Sequence, residues 1–245
     1  MEGVNIMIKS NGRVVMISGA NRGIGLAIAR NLYQAGFSLS LGAREVSSLN
    51  NIIDNSTEDR VLNTRFEAMD KNSHKDWVKK TLKKFNKIDC LINNAGIVES
   101  VSVEDEEDNE EALDRMWTVN VKAPLSLTRL TLPYLKRSGS GRVVNVASLA
   151  GKAVYGSSVG YSMTKFAAVA LSHATRHGGW DHGVRCTALC PGYVATDMTS
   201  EVESVSIDSM ISPIDLAELV KTVISLSNTA SVAELVVNCR PDIIA

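Results

Sequence analysis

Arg13-Val-Val-Met-Ile-Ser18, running straight into Gly19-Ala-Asn-Arg-Gly23-Ile-Gly25, is the stretch that decides the fold. Its first six residues are a short, mostly apolar run suited to a buried strand. Beyond the glycines, Leu26-Ala-Ile-Ala-Arg-Asn-Leu-Tyr33 continues with helical spacing. Strand, glycine turn and helix in that order aim helix-start amides, and the positive end of a helix dipole, at an anion such as a pyrophosphate. Glycine lets the backbone turn tightly and approach such a ligand without a side chain in the way. The spacing here is Gly-x-x-x-Gly-x-Gly, not the Gly-x-Gly-x-x-Gly of longer dinucleotide-binding enzymes.

Outward from this unit, strands and helices alternate. Phe37–Gly42 reads as a second strand, Glu45–Asp54 as a polar helix, and Arg60–Met69 as a third strand. A lysine-rich helix over Lys75–Phe85, a fourth strand Ile88–Asn93, a long helix and a fifth strand Gly141–Ala147 follow. The helix carrying Tyr161 precedes a sixth strand, Val184–Cys190, and Leu235–Asn238 is a short last strand. Ser212-Pro-Ile-Asp215 is a helix start, with Ser as cap, Pro at the first helical position and Asp in the first turn. Near-continuous apolar strands separated by helices predict an α/β fold: a Rossmann-type doubly wound parallel sheet of about seven strands, with helices on both faces. Residues 1–12 are expected to be a flexible lead-in and 13–245 a single domain. Within it, residues 193–212 are polar, weakly periodic and placed after the carboxyl end of a strand, which suits a substrate lid.

Composition sets limits. Hydrophobic residues make up 44% of the 245 and charged residues 22%, and the net charge is −1. That is ordinary globular composition, and it offers no electrostatic case for nucleic acid or an anionic membrane as partner. No apolar run reaches the roughly 18 residues that span a bilayer, and Met1–Gly12 lacks the apolar core of a secretory signal. Cys90, Cys186, Cys190 and Cys239 lie in apolar segments, as free thiols do in a reducing cytosol, and the expected location is cytoplasmic. Without clustered histidines, Cys186 and Cys190 predict no zinc, and no metal is expected elsewhere. The acidic run Glu104–Glu111 lacks the spacing and central glycine of a calcium loop and reads as a solvated helix start. The unusual Arg176–His182 segment suggests no chemistry for its two histidines.

Tyr161 and Lys165 are one helical turn apart, so phenol and ammonium share a face. A cation beside a phenol favours the phenolate and turns a poor proton donor into a usable acid/base. Ser148, thirteen residues upstream of Tyr161, could hydrogen-bond a carbonyl oxygen while Tyr161 protonates it.

Together these residues resemble the short-chain dehydrogenase/reductase family over about Arg13 to Asn238. Ser18-Gly19-Ala-Asn21-Arg22-Gly23-Ile24-Gly25 is similar to its Thr-Gly-x-x-x-Gly-x-Gly turn, with Ser in place of Thr. Asn93-Asn94-Ala95-Gly96 is similar to its Asn-Asn-Ala-Gly signature, and Asn120 in Val-Asn-Val to its active-site asparagine. Ser148, Tyr161 and Lys165 complete the tetrad, and Pro191-Gly192 with Val194 and Thr196 resembles the motif beside the nicotinamide. The resemblance implies that Tyr161 is the proton donor in reduction and Lys165 also binds the nicotinamide ribose. It further implies that Ser148 orients the substrate oxygen and Asn120 holds a water leading from Lys165 to solvent. Asp70 resembles the family residue at the adenine. The C-terminal Ala233-Glu-Leu-Val-Val-Asn-Cys239 departs from the Asp-Gly-Gly ending common in members that reduce fatty-acyl intermediates.

NAD-users place a carboxylate at the end of the second strand, for the adenosine ribose. Here that stretch is Leu41-Gly-Ala-Arg44; Arg44, with Arg22 in the glycine turn, suits a 2′-phosphate and predicts NADP(H). The expected activity is reduction of a small carbonyl compound to an alcohol, or the reverse. Ser148, Val154, Tyr155, Tyr193 and Met198 are the candidates for the substrate side. A non-catalytic NADP-sensing protein on the same fold is the alternative, but such a sensor needs no acid/base pair. By the resemblance, the long helix around Asn120 and the Tyr161 helix pack against copies of themselves, with Ala167, Ala168 and Ala170 permitting close approach, in a homodimer or homotetramer.

Overall fold

The computed structural model describes residues 7–105, 109–155 and 157–241. Among them, β1 (Val14–Ser18), β2 (Ser38–Ala43), β3 (Val61–Arg65), β4 (Cys90–Asn93), β5 (Arg142–Val146), β6 (Arg185–Pro191) and β7 (Glu234–Val237) form one sheet in the order β3-β2-β1-β4-β5-β6-β7. Every neighbouring pair is parallel. The helices are α1 (Gly23–Gln34), α2 (Lys71–Phe85), α3 (Glu110–Trp117), α4 (Ala123–Arg137), α5 (Val159–Gly179) and α6 (Pro213–Ser225).

Alternation along the strands assigns the two faces. Val15 and Ile17 join a core shared with Ile28 and Leu32 of α1 and Leu216 and Val220 of α6. Met16, between them, points the other way, into a core with Trp77 of α2 and Leu127 of α4. All nine are fully buried or nearly so. A sheet covered on both faces needs apolar residues at successive positions, which is why β1 reads as a continuous run. The chain winds from β1 through β2 to β3, then returns to begin β4 on the far side of β1. That reversal opens a crevice beyond the carboxyl ends of β1 and β4.

The structure differs from the sequence reading in three places. Glu45–Asp54 is not a helix: a single 3-10 turn, Val46–Leu49, is followed by Asn51 and Asn55 in left-handed backbone (φ 57° and 54°). A Ser/Asn-rich stretch bonds its own backbone in turns instead of propagating a helix. β3 stops at Arg65, so Phe66–Met69 form a loop, and α2 starts early, at Lys71. Residues 7 and 8, read as flexible lead-in, are tied down: Met7 bridges Leu226, and Ile8 N–H donates to Ser225 O at 2.7 Å. Residues 1–6 lie outside the described ones, as do 106–108 of the acidic run. The expected start of α6 is found, with Ser212 Oγ accepting the Ile214 N–H at 3.2 Å and Pro213 first in the helix. Among the described residues no helix is long and apolar enough to cross a membrane.

Candidate active site

The loops after β1 and β4 are stitched together. Ser18 Oγ accepts the N–H groups of Asn94 (3.0 Å) and Ala95 (3.1 Å), and Asn94 Nδ2 donates to the carbonyls of Ser18 and Gly19, both at 3.0 Å. A side chain at Gly25 would put its Cβ 2.3 Å from Gly19 O and 2.5 Å from Asn94 Nδ2, so only glycine permits this packing. No side chain among the described residues caps the start of α1, which leaves its first amides to the crevice.

Tyr161 and Lys165 rise from the first turns of α5. Lys165 is 6% exposed, with Nζ donating to Val146 O at 2.9 Å and lying 5.4 Å from the centre of the Tyr161 ring. Across from it is Gly96: a Cβ there would lie 3.7 Å from Lys165 Nζ and 3.3 Å from Asn120 Oδ1, filling space that a ligand could use. Asn120 sits in a wide π-type turn, Thr118–Lys122, between α3 and α4. Such turns recur at functional sites. Its amide exchanges two bonds of 2.9 Å with the backbone of Ile97 and donates to Thr164 Oγ1 at 3.0 Å, so no donor of the side chain remains free. Ser148 caps the short turn Leu149–Gly151, its Oγ accepting the Ala150 N–H at 3.1 Å and lying 3.5 Å from Pro191 O.

A cleft of about 720 Å³ runs over these loops. Gly19, Asn21, Arg22, Gly23, Ile24, Arg44, Asn94, Ala95, Gly96, Tyr161, Lys165, Thr196 and Met198 all line it. Sheet order arranges them: Arg44 follows β2, the glycine turn follows β1, Gly96 follows β4, and Thr196 and Met198 follow β6. Arg44 is exposed, and no described residue pairs with it; Glu45 beside it lines the same rim. Arg22 meets Asp197 at 2.9 Å across the cleft, both side chains exposed.

Other expected residues lie elsewhere. Asp70 is outside the lining: it caps α2 by accepting the Asn72 N–H (2.9 Å) and pairs with Arg65 (3.1 Å), contacts that hold its carboxyl below the usual range. Phe66, Glu67, Ala68 and Met69, just before it in the chain, line the cleft. The sequence pattern continues as strand through Met69 and so hides them; β3 ends at Arg65, and these four residues form a carboxyl-edge loop. Val194 is buried in the α1/α6 core, and Gly192 N–H bonds Val237 O at 2.8 Å. Val154 and Tyr155 are exposed, and Tyr193 lies under Arg240, 5.6 Å from the ring centre. Segment 193–212 is pinned at its base, where Ile211 N–H donates to Tyr193 O (2.9 Å) and Ala195 N–H to Ile211 O (3.0 Å).

Two features fix the surroundings. Glu234, in the atypical C-terminal stretch, accepts from Lys152 (2.5 Å) and meets His173 (2.7 Å); both contacts hold its carboxyl below the usual range, and Lys152 ends the turn that Ser148 caps. The cysteines are free thiols, and burial pushes Cys90 and Cys186 up to about 12 and Cys190 to about 11, which keeps them neutral.

A parallel sheet with a glycine turn at its switch point and a Tyr/Lys pair facing it defines a nucleotide-dependent oxidoreductase class. The sequence pattern of that class described as short chain dehydrogenase matches residues 13–206, and the chain belongs to this family. It is 44% identical over 229 residues to the agropine synthesis reductase of Rhizobium rhizogenes, covering 94% of this chain and 53% of that one. The chain thus spans about half the length of that relative. An uncharacterized oxidoreductase of Staphylococcus epidermidis is 34% identical over 79% of this chain and 83% of its own. Among solved structures, an alcohol dehydrogenase from the archaeon Thermococcus sibiricus, complexed with 5-hydroxy-NADP, superposes with a TM-score of 0.81 at 31% identity, covering 91% of this chain and 94% of that one.

Proposed function

We propose that this chain is an NADP(H)-dependent reductase of a small carbonyl compound, with Tyr161 as the proton donor. One observation carries the reading: the Tyr161 ring and the Lys165 ammonium stand together at the wall of a cleft whose floor is the glycine turn. The bound dinucleotide would supply a hydride to the carbonyl carbon. Tyr161 Oη gives its proton to the carbonyl oxygen, and Lys165 places a positive charge beside the ring as the phenolate forms. Ser148 Oγ, already fixed by the Ala150 N–H, has its own proton to offer the same oxygen. Asn120 acts through position: its bonds to Ile97 and Thr164 hold the loop after β4 against α5.

The cleft residues fit the nucleotide. Amides at the start of α1 suit a pyrophosphate, Glu67 to Met69 would border the adenine, and Lys165 would hold the nicotinamide ribose. Arg44, exposed and without an acidic partner among the described residues, favours a 2′-phosphate, and the Thermococcus neighbour was solved with an NADP derivative. Neutral cysteines agree with a reducing, cytoplasmic setting. Exposed Met163, Phe166 and Ala170 share one stripe of α5 and support self-association as a homodimer or homotetramer.

The test is oxidation of NADPH by purified protein against ketones, aldehydes, oxo acids and quinones, with light scattering for assembly. Tight NADPH binding without turnover of any carbonyl would restore the sensor alternative.

A further inference from the structure

We propose that Arg115 recognises a carboxylate on the substrate, so that the compound reduced in this cleft is an oxo acid; the inference rests on the reductase reading above. Arg115, on α3, and Glu99, in the loop after β4, line the same cleft as Tyr161 and Lys165. β4 lies on the opposite side of β1 from β2 and β3, so this pair sits away from the adenine end and beside the proton donor. Val119, four residues beyond Arg115, continues the same wall as an apolar surface.

The pair's geometry gives it a direction. Arg115 Nε donates to both Glu99 oxygens (3.1 and 3.2 Å), and Nη2 donates to Oε2 at 2.6 Å. These contacts hold the Glu99 carboxyl below its usual range and raise the guanidinium above its own. Nη1 is not part of this fork. Its nearest described acid, Glu111, is 3.8 Å away, beyond hydrogen-bond range, and Glu111 itself is almost fully exposed. Glu99 therefore orients the guanidinium and leaves one edge, with two N–H groups, open. Exposure points the same way: the Arg115 side chain is 45% exposed, the Glu99 side chain 28%. A planar carboxylate matches that donor edge. An ammonium would instead have to compete for Glu99 oxygens already taken by the fork.

The experiment compares kcat/KM with NADPH for a series of oxo acids of increasing chain length against their methyl esters, in wild type, Arg115→Met and Arg115→Lys. The wild type is expected to prefer the best acid over its ester about ten- to thirtyfold, the size of one charge-assisted contact at a partly exposed site. Arg115→Met should collapse that ratio through KM, and Arg115→Lys should restore part of it. An acid-to-ester ratio near one in wild type overturns the proposal, and so does a ratio that Arg115→Met leaves unchanged, or a preference for amine-bearing ketones. If no carbonyl is turned over at all, the reductase reading fails first. Calorimetric titration of the same oxo acids into the NADPH-loaded wild type and Arg115→Met then decides the carboxylate site: binding lost in the variant supports it, and equal or absent binding in both refutes it.

Discussion

The two edges of the sheet use the same kind of residue in opposite ways. At the amino edge, Arg13 precedes β1, Arg142 opens β5 and Arg185 opens β6, and all three are at most 9% exposed. Their guanidinium groups are spent on the protein itself. Arg142 bonds the carbonyls of Gly141 (2.9 Å), Gly183 (3.2 Å) and Leu226 (2.6 Å), and Asn228 Oδ1 (3.0 Å). Arg185 bonds Asn228 O (2.8 Å) and Trp180 O (2.9 Å), and Arg13 bonds Ser140 O (2.8 Å). At the carboxyl edge, Arg44 and the outer side of Arg115 have donors left over. Cations there remain available for a ligand, whereas cations at the amino edge pin strand starts and loops in place. The amino edge therefore governs stability, and the carboxyl edge governs chemistry.

Tyr161→Phe should break the molecule at one edge only. Removing the phenolic oxygen takes away the proposed acid/base group, and such catalysis is usually worth ~10²–10⁴-fold, so activity should fall by about that factor. NADPH binding and melting temperature should stay near wild type. Steady-state kinetics beside a cofactor titration measure the split. More than about a tenth of wild-type activity in this variant would remove Tyr161 from the chemistry.

Arg142→Met is the mirror experiment. Burial, with Arg13 nearby, pulls this guanidinium down to about 10, and it is still charged at neutral pH. Its loss takes the side-chain donor from the carbonyls of Gly183 and Leu226, while Gly141 O keeps the Arg185 N–H at 2.9 Å; this should cost about 2–5 kcal/mol of stability. Turnover per folded molecule should change little. Urea unfolding with activity measured on the folded fraction checks both halves. A stable but inactive variant would contradict the division between the edges.

Arg44→Asp is smaller and sharper. Losing a charge-assisted contact to the 2′-phosphate should weaken NADPH about ten- to a hundredfold, or ~1.5–3 kcal/mol, while NADH is spared or improved. Tighter binding of NADH than NADPH by the wild type would overturn the cofactor assignment.

The carboxyl edge was largely legible in the sequence because its loops are built from residues with few alternatives. Gly25 has no room for a Cβ, and Tyr161 and Lys165 share a face by helical spacing alone. What stayed hidden depends on tertiary pairing. Nothing in the sequence marks that Glu99 and Arg115, sixteen positions apart, bond each other at the cleft, or that Arg22 meets Asp197. The amino-edge arginines were invisible for the same reason: an arginine at a strand start usually reads as a surface charge. Errors of extent came from short polar segments. Val46–Leu49 makes one turn where the pattern suggests a helix, and β3 ends four residues early, so Phe66–Met69 form a loop at the carboxyl edge.

His74 lies between the two regimes and gives the smallest effect. It is buried on α2, with Nδ1 3.0 Å from Ser126 Oγ and Nε2 3.1 Å from the carbonyl of Glu67, a residue that lines the cleft. The carbonyl can only accept, so Nε2 carries the proton and Nδ1 accepts from the serine; this is the neutral ring. Burial lowers the His74 pKa from its ordinary value, outweighing the backbone bonds and nearby acids that favour the charged form. The unfolded chain therefore takes up this proton at a higher pH than the folded one. Stability from the neutral ring is complete above the unfolded value of about 6.5 and is lost as pH falls through the folded value. Melting temperature should fall more steeply between pH 7 and 5 in wild type than in His74→Gln, the direction that the lowered pKa sets. Protonation adds its hydrogen at Nδ1, so the contact disturbed is the one with Ser126 Oγ, while the Nε2 bond to the Glu67 carbonyl is kept and NADPH affinity should change little over the same window. Parallel melting curves for the two proteins would show that another group controls the acid limb.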